Sequence, residues 1–224
     1  MRDNKTSQPA HEYDAGIRKT MPFYDYFHDT AIGLIEVINP GVGAWLDTGG
    51  GSGSFVAKAA AVFPDTSFTV ADPSAAMLDI AKEKLSGITR CEYVPAGTEL
   101  LDCAAGSFDV ITAFLSHHYF DAETRRRATA NCFRMLKQGG VYISFETILP
   151  NTEKGKQAGL ECWRRAQLKL GKNEGAIEKY LSRYGVEFFP ITLNDHFALL
   201  RDTGFSVAEV LWASGMQTGF YAMK

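Results

Sequence analysis

The residues best suited to chemistry are Asp47 and the run behind it, Thr48-Gly49-Gly50-Gly51-Ser52-Gly53-Ser54, followed further on by Asp72. The apolar pair Trp45-Leu46 ends in Asp47, passes through the glycine turn and opens into the helical-looking Phe55-Val56-Ala57-Lys58-Ala59-Ala60. A turn this poor in Cβ atoms lets backbone approach a ligand closely, and glycine accepts the φ > 0 such a turn needs. The helix start beyond it offers unpaired N–H groups to a negatively charged group. Asp72 closes the next apolar run, Phe68-Thr69-Val70-Ala71. A carboxylate there can accept both hydroxyls of a ribose. The pair predicts a nucleoside-cofactor site. Asp47 either orients the cofactor's amino group or only stabilises the turn, and Asp72 can bind ribose and cap the following helix at once.

A second group lies in His117-His118-Tyr119, just after the apolar run Phe108–Phe114. Open α/β sheets bind ligands at that carboxyl edge. A histidine there could take a proton from a substrate hydroxyl, amine or thiol, or else shape the pocket wall. His11 and His28 stand among polar residues with no second ligand at a metal spacing, so no metal is expected. Arg125-Arg126-Arg127 reads as a solvated helix face.

These groups need elements to hold them. Met1 to about Ala10 reads as disordered, and a helix through Ile32, Leu34, Ile35, Val37 and Ile38 stops at Asn39-Pro40-Gly41. Strands are expected at 44–48, 67–71, 91–94, 108–114 and 141–146. Helices are expected at 55–63, 74–85 and 122–136, the last ended by the basic turn and glycines of Lys137-Gln138-Gly139-Gly140. Such alternation implies a parallel sheet with helices on both faces. Pro150 to Arg183 is helical, with eight Lys or Arg against four Asp or Glu. Leu160, Trp163 and Leu170 recur in it at nearly helical spacing, which suits an amphipathic lid or dimer helix better than an RNA-binding face. Tyr180, Tyr184, Phe188 and Phe189 add aromatic surface able to close over a substrate. A crossover helix at 192–201 precedes two runs, 206–213 and 217–223, whose short join at Ser214-Gly215 makes them antiparallel.

Composition narrows the class. At 224 residues and net charge −3 the chain reads as one domain with no global attraction to nucleic acid or a membrane surface. Within 1–224 the expected division is a helical leader (1–40), a cofactor-binding core (41–149), a helical lid or insertion (150–190), and a last helix with hairpin (191–224). Cys91, Cys103, Cys132 and Cys162 are widely spaced and read as reduced, mostly buried thiols. The polar start excludes a signal peptide and no run reaches membrane-spanning length, so a cytoplasmic protein is expected.

The ordered motifs resemble those of the class I S-adenosylmethionine-dependent methyltransferases, over nearly the whole chain from about Tyr13. Asp47 to Gly53 resembles the family's first motif, acidic-x-Gly-x-Gly-x-Gly, and Ala71-Asp72-Pro73-Ser74-Ala75-Ala76-Met77-Leu78 the second. Ala96-Gly97-Thr98-Glu99 resembles the loop near the adenine amine, served by Glu99, by Thr98 or by a backbone carbonyl. Phe108-Asp109-Val110-Ile111 and Leu136 to Gly140 resemble the fourth strand and the turn before the fifth. A nicotinamide fingerprint would want a small residue where Ser54 stands, but the closing hairpin and the lack of a second nucleotide half argue against that reading.

The resemblance implies a Rossmann-like α/β fold: a seven-stranded sheet, mostly parallel, with a C-terminal antiparallel hairpin. It implies S-adenosyl-L-methionine as cofactor, S-adenosyl-L-homocysteine as product, and a cofactor set of Tyr24, Asp47, Gly49, Gly51, Gly53, Asp72, Pro73, Met77, Gly97, Thr98, Glu99 and Phe114. His117 and His118 are the catalytic candidates, and Tyr13, Arg18, Trp163 and Tyr180 the substrate candidates. The expected reaction is in-line methyl transfer to a small-molecule acceptor, with a homodimer possible and nucleic acid not expected. The ending His196 … Leu211-Trp212 … Gly219-Phe220-Tyr221-Ala222 is similar to carboxy-S-adenosylmethionine synthases, although Leu199 stands where they carry an arginine and Arg201 lies two residues on. Carboxy-S-adenosylmethionine chemistry, RNA methylation and a non-catalytic cofactor-binding regulator are the alternatives.

Overall fold

A computed structural model describes Thr6 and residues 9–224. Of the expected disordered stretch Met1–Ala10, residues 1–5 and 7–8 lie outside the described residues. The leader holds two helices, α1 (Tyr13–Thr20) and α2 (Tyr24–Ile38). There follow β1 (Ala44–Thr48), α3 (Ser54–Val62), β2 (Ser67–Ala71), α4 (Ala75–Lys84), β3 (Cys91–Val94), β4 (Phe108–Phe114), α5 (Ala122–Met135) and β5 (Leu136–Thr147). The tail adds α6 (Glu153–Lys169), α7 (Glu174–Leu181), α8 (Leu193–Thr203), β6 (Val207–Ser214) and β7 (Gln217–Met223).

Among the described residues the strands form one seven-stranded sheet in the order β3-β2-β1-β4-β5-β7-β6. The first five strands pair in parallel, and β7 inserts antiparallel between β5 and β6. The expected Rossmann-like sheet with its antiparallel ending is the one observed. Its strand order reverses between β1 and β4, and open sheets place their ligands beside such a reversal.

Strand alternation divides the core between two faces. Trp45, Phe68, Val70, Val110, Ile143 and Phe145 pack under α2, α3 and α4. Leu46, Ala71, Ile111, Ala113, Tyr142 and Phe220 pack under α5 and α8.

Four readings need correction. The glycines at 139–140 do not end a helix: α5 passes directly into β5, and Gly139 (φ 75) sits inside that strand beside a register shift against β4. Arg125 is not solvated. It turns inward and donates to the carbonyls of His117 (3.3 Å) and Phe189 (2.5 Å), so burial is met by backbone acceptors. Of the four free thiols only Cys132 is buried, and Cys162 is exposed. His28, expected in polar surroundings, is buried among Tyr24, Phe55 and Phe114.

Candidate active site

The loop after β1 has the backbone its glycines permit. Gly49, Gly51 and Gly53 take φ of 64°, 55° and 73°. A Cβ on Gly49 would run into the Ser116 side chain, so the loop touches the tip of β4 through bare backbone. A Cβ on Gly53 would meet Leu85 at 2.9 Å, so this glycine serves the packing of α3 on α4. Asp72 fastens the loop to β2: its Oδ2 accepts from the Gly51 N–H at 3.0 Å and its Oδ1 from the Ser74 N–H at 2.8 Å. Ser74, rather than Asp72, caps α4, accepting from the Met77 N–H.

Around this loop lies a cleft of about 250 Å³ at the carboxyl ends of β1, β2 and β4. The fold brings ten of the expected residues to its wall: Tyr13, Gly49, Gly51, Asp72, Pro73, Met77, Gly97, Thr98, Glu99 and Phe114. Leu115, Ser116 and Phe120 also line it and carry no motif of their own; their only signal in the sequence is that they follow an apolar run. Leu115 holds φ 53°, a strained value for a side chain with a Cβ, pinned by its N–H on the Phe145 carbonyl at 2.7 Å.

Two polar atoms at this wall, Glu99 Oε2 and Ser116 Oγ, are buried without a hydrogen-bond partner among the described residues. A cleft with a ribose-height carboxylate, unpartnered polar atoms and glycine-bared backbone fits an adenosyl cofactor. Such buried groups are costly unless a ligand meets them.

Asp47, Tyr24 and Gly53 do not line the cleft. Asp47 is buried beneath the loop and accepts from Thr112 Oγ1 at 2.7 Å. Burial pushes its carboxyl up to about 7, against that hydrogen bond and helped by the charge on Asp72. Tyr24 lies behind Tyr13 and shares a hydrogen bond with it; burial, the largest cause, pushes both phenols well up.

A smaller chamber of about 30 Å³ adjoins the cleft and shares Thr6, Tyr13, Leu115 and Tyr119 with it. Ile17, Thr20 and Met21 close it from the leader, and Tyr180 and His118 from the far side. The two catalytic candidates separate here. His117 faces away: its Nε2 lies 3.1 Å from Thr98 Oγ1 and its Nδ1 3.1 Å from the Tyr142 hydroxyl. His118 lines the chamber, with Nδ1 3.5 Å from Glu146 Oε2. Burial holds both imidazoles down at about 3, so both are neutral.

Two substrate candidates stand outside both cavities. Arg18 pairs with Asp25 through two hydrogen bonds of 2.8 and 2.9 Å, and Trp163 is buried with Nε1 donating to the Thr20 carbonyl at 2.8 Å. Glu146 carries no sequence motif; its signal is the one charge in the otherwise uncharged Val141-Tyr142-Ile143-Ser144-Phe145-Glu146-Thr147-Ile148.

Residues 46–140 match a family model described as a methyltransferase domain. By that match, its fold and its cleft this chain is similar to the class I S-adenosylmethionine-dependent methyltransferases, and the cleft suits their cofactor, S-adenosylmethionine. Among curated proteins it is similar to the ubiquinone/menaquinone biosynthesis C-methyltransferase UbiE of Campylobacter jejuni, 28% identical over 162 residues, or 68% of this chain and 64% of that protein. The chain therefore spans a little under two thirds of that relative. It is also similar to the carboxy-S-adenosyl-L-methionine synthase of Nautilia profundicola, 19% identical over 216 residues, covering 96% of this chain and 92% of the relative. In fold it is similar to the YcgJ protein of Bacillus subtilis, at TM-score 0.67 and 15% identity over 90% of this chain and 99% of that one.

Proposed function

We propose that this chain transfers a methyl group from S-adenosylmethionine to a small molecule seated where the cleft meets the adjoining chamber. The observation that carries the reading is the shared wall: Tyr13, Leu115 and Tyr119 border both cavities, so two ligands would meet there. When bound, the cofactor supplies an electrophilic methyl on a sulfonium centre that leaves as a neutral thioether. The protein then has to align two reactants and keep water out. In this reading Asp72 accepts the ribose hydroxyls, Pro73, Met77 and Phe114 flank the base, and Glu99 or Thr98 takes the adenine amine. Tyr13 and Tyr119 close the junction, and His118 is the proton acceptor at the chamber.

The chamber is narrow and lined by neutral side chains, which favours a small acceptor over a polynucleotide. Among the described residues lining the cleft there is no Lys or Arg, hence no counter-charge for a carboxylated sulfonium. Leu199 and Arg201 do not line it either, and Arg201 is exposed. The segment from α6 to α7 reads as a lid: Trp163 and Lys172 bond to Thr20, and Tyr180 walls the chamber. Among the described residues no helix is long and apolar enough to cross a membrane.

Calorimetric titration with S-adenosylmethionine and with NAD, on wild type and Asp72→Ala, tests the cofactor half. Micromolar binding of the first alone, weakened at least about tenfold by the substitution, is expected. NAD binding in its place overturns the reading. A panel of oxygen, nitrogen, sulfur and carbon acceptors then tests transfer.

A further inference from the structure

Glu146 is a buried carboxyl on β5, 2% exposed, whose oxygens have no side-chain hydrogen-bond partner among the described residues and are approached by the backbone N–H groups of His117 and His118 at the edge of hydrogen-bonding geometry. A carboxyl in that state costs several kcal/mol unless something at the site uses it. The side chain it meets is His118, whose Nδ1 lies 3.5 Å from Oε2 and is also unpartnered. The side chain of His118 is 3% exposed and its ring is held by Tyr119 and Phe188, with centroids 4.4 and 5.6 Å away. With Nδ1 turned to Glu146, Nε2 is the nitrogen left for the chamber that His118 lines.

We propose that Glu146 is a positioning residue: it accepts the Nδ1 proton of His118 and so fixes the tautomer whose bare Nε2 takes a proton from the acceptor. The inference rests on the reading of the chamber as an acceptor site and narrows it to acceptors with an ionisable X–H at the methylated atom. In the step, the X–H bond breaks and its proton goes to Nε2. The electron pair left on X forms the bond to the methyl carbon, and the methyl–sulfur pair leaves with sulfur. His118 becomes an imidazolium beside a carboxylate, a net-neutral pair that a buried site can hold.

The surroundings decide when the pair is ready. Arg125 from α5 and the backbone of His117 and His118 pull the Glu146 pKa down, but burial outweighs them and holds its carboxyl at about 8. Arg125, Arg183, His117 and His196 face His118 with positive or potentially positive charge and keep it neutral, behind burial as the larger cause. Tyr142, Ser144, Arg125, His196 and Glu146 border a space of about 10 Å³ on the far side of β5, with no further carboxyl among the described lining residues. Below the Glu146 transition the carboxyl keeps its proton and donates to Nδ1, leaving Nε2–H and no base. Above it, Nδ1–H faces a carboxylate and Nε2 is bare.

Long-range proton–nitrogen spectra of ¹⁵N-labelled protein with S-adenosylhomocysteine, from about pH 6 to about 10, read the tautomer of His118 directly. His118→Asn assigns its signals. The expected result is a change from Nε2–H to Nδ1–H with a midpoint near 8. Glu146→Gln, which cannot titrate, should hold one tautomer throughout, and Glu146→Asp should restore a transition. A single His118 tautomer across the range in wild type, or a transition that survives in Glu146→Gln, overturns the proposal. If Glu146→Gln does not fold, the wild-type titration with Glu146→Asp decides alone. Failure of the wild-type protein to bind S-adenosylhomocysteine would count against the function proposed above instead.

Discussion

Gly49 and Gly51 both hold positive φ, yet their surroundings differ. A Cβ on Gly51 meets nothing within 4 Å, whereas one on Gly49 is driven into Ser116. Gly51→Ala should therefore lose only the backbone term, about 1 kcal/mol. Gly49→Ala should lose roughly 3 kcal/mol and most of its cofactor affinity, because the loop must retreat from the cleft. Urea unfolding and calorimetry measure both, and equal losses would refute the assigned contact. The same residues show why the cofactor half was legible in sequence: a glycine run and a strand-end acid are local patterns with local reasons. Ser116 and Phe120 belong to the site only because β4 and β1 are neighbours. Glu146 acquires meaning only from His118, which reaches it across the sheet edge.

The first helix owes its position to charge. Asp14 accepts from Ser52 Oγ (2.6 Å) and Ser54 Oγ (3.0 Å) of the glycine loop and pairs with Lys84 at the end of α4 (2.5 Å). These partners outweigh partial burial and lower its pKa. Because Tyr13 is the adjoining residue, this network straps α1 over both cavities. Asp14→Ala should release S-adenosylmethionine about tenfold faster with little change in the sheet's own stability, as stopped-flow dissociation and circular dichroism would show. An unchanged release rate would mean that α1 does not gate entry. Core strands were readable at this scale to the residue, since β1, β2 and β4 are short, nearly continuous apolar runs buried on both faces of a parallel sheet. The start of β5 was not: Lys137-Gln138-Gly139-Gly140 looks like a helix stop, and only the pairing of Leu136 and Val141 with β4 on either side, with backbone bonds joining Gly139 and Gly140 to Lys224, carries it into the strand. The break between α6 and α7 falls at Gly171, φ 81°, a helix C-terminus set by one residue inside a longer helical pattern.

Burial of titratable groups gives the whole molecule a pH profile. Among the described residues His28 is held down at about 4, and His117, His118 and His196 at about 3, chiefly by burial. Unfolded histidines take protons near 6.5. The unfolded state therefore binds more protons below that pH, and these residues cost stability as pH falls from about 6.5 toward 3. Asp47 and Glu146, raised to about 7 and about 8, act oppositely: the native state keeps protons that the unfolded chain releases near 4, so their stabilisation fades as pH rises. Between about pH 5 and 6 four histidines outweigh two carboxyls, and stability climbs with pH by ~1.4 kcal/mol per net proton per unit. Between about 6.5 and 8 the carboxyls dominate and the slope turns downward, until Lys172, lowered to about 8 chiefly by burial, begins to act in the opposite sense. Unfolding free energies at stepped pH should peak near 6.5; a flat profile from about 5 to 9 would refute the buried ionisation states.

The inserted position of β7 bears on how the chain is made. β5 is complete at Thr147, but the strand that covers its open edge begins only at Gln217, with α6, α7, α8 and β6 synthesised in between. Until then the nascent chain presents Tyr142, Ile143 and Phe145 on an uncapped parallel sheet, the kind of edge that pairs with strangers. β6, made earlier, cannot protect it, because β6 reaches the sheet only through β7. A ribosome paused within α6 or α7 would thus hold a nearly finished cleft on a half-sealed sheet, and chaperone occupancy should be greatest over that interval of translation.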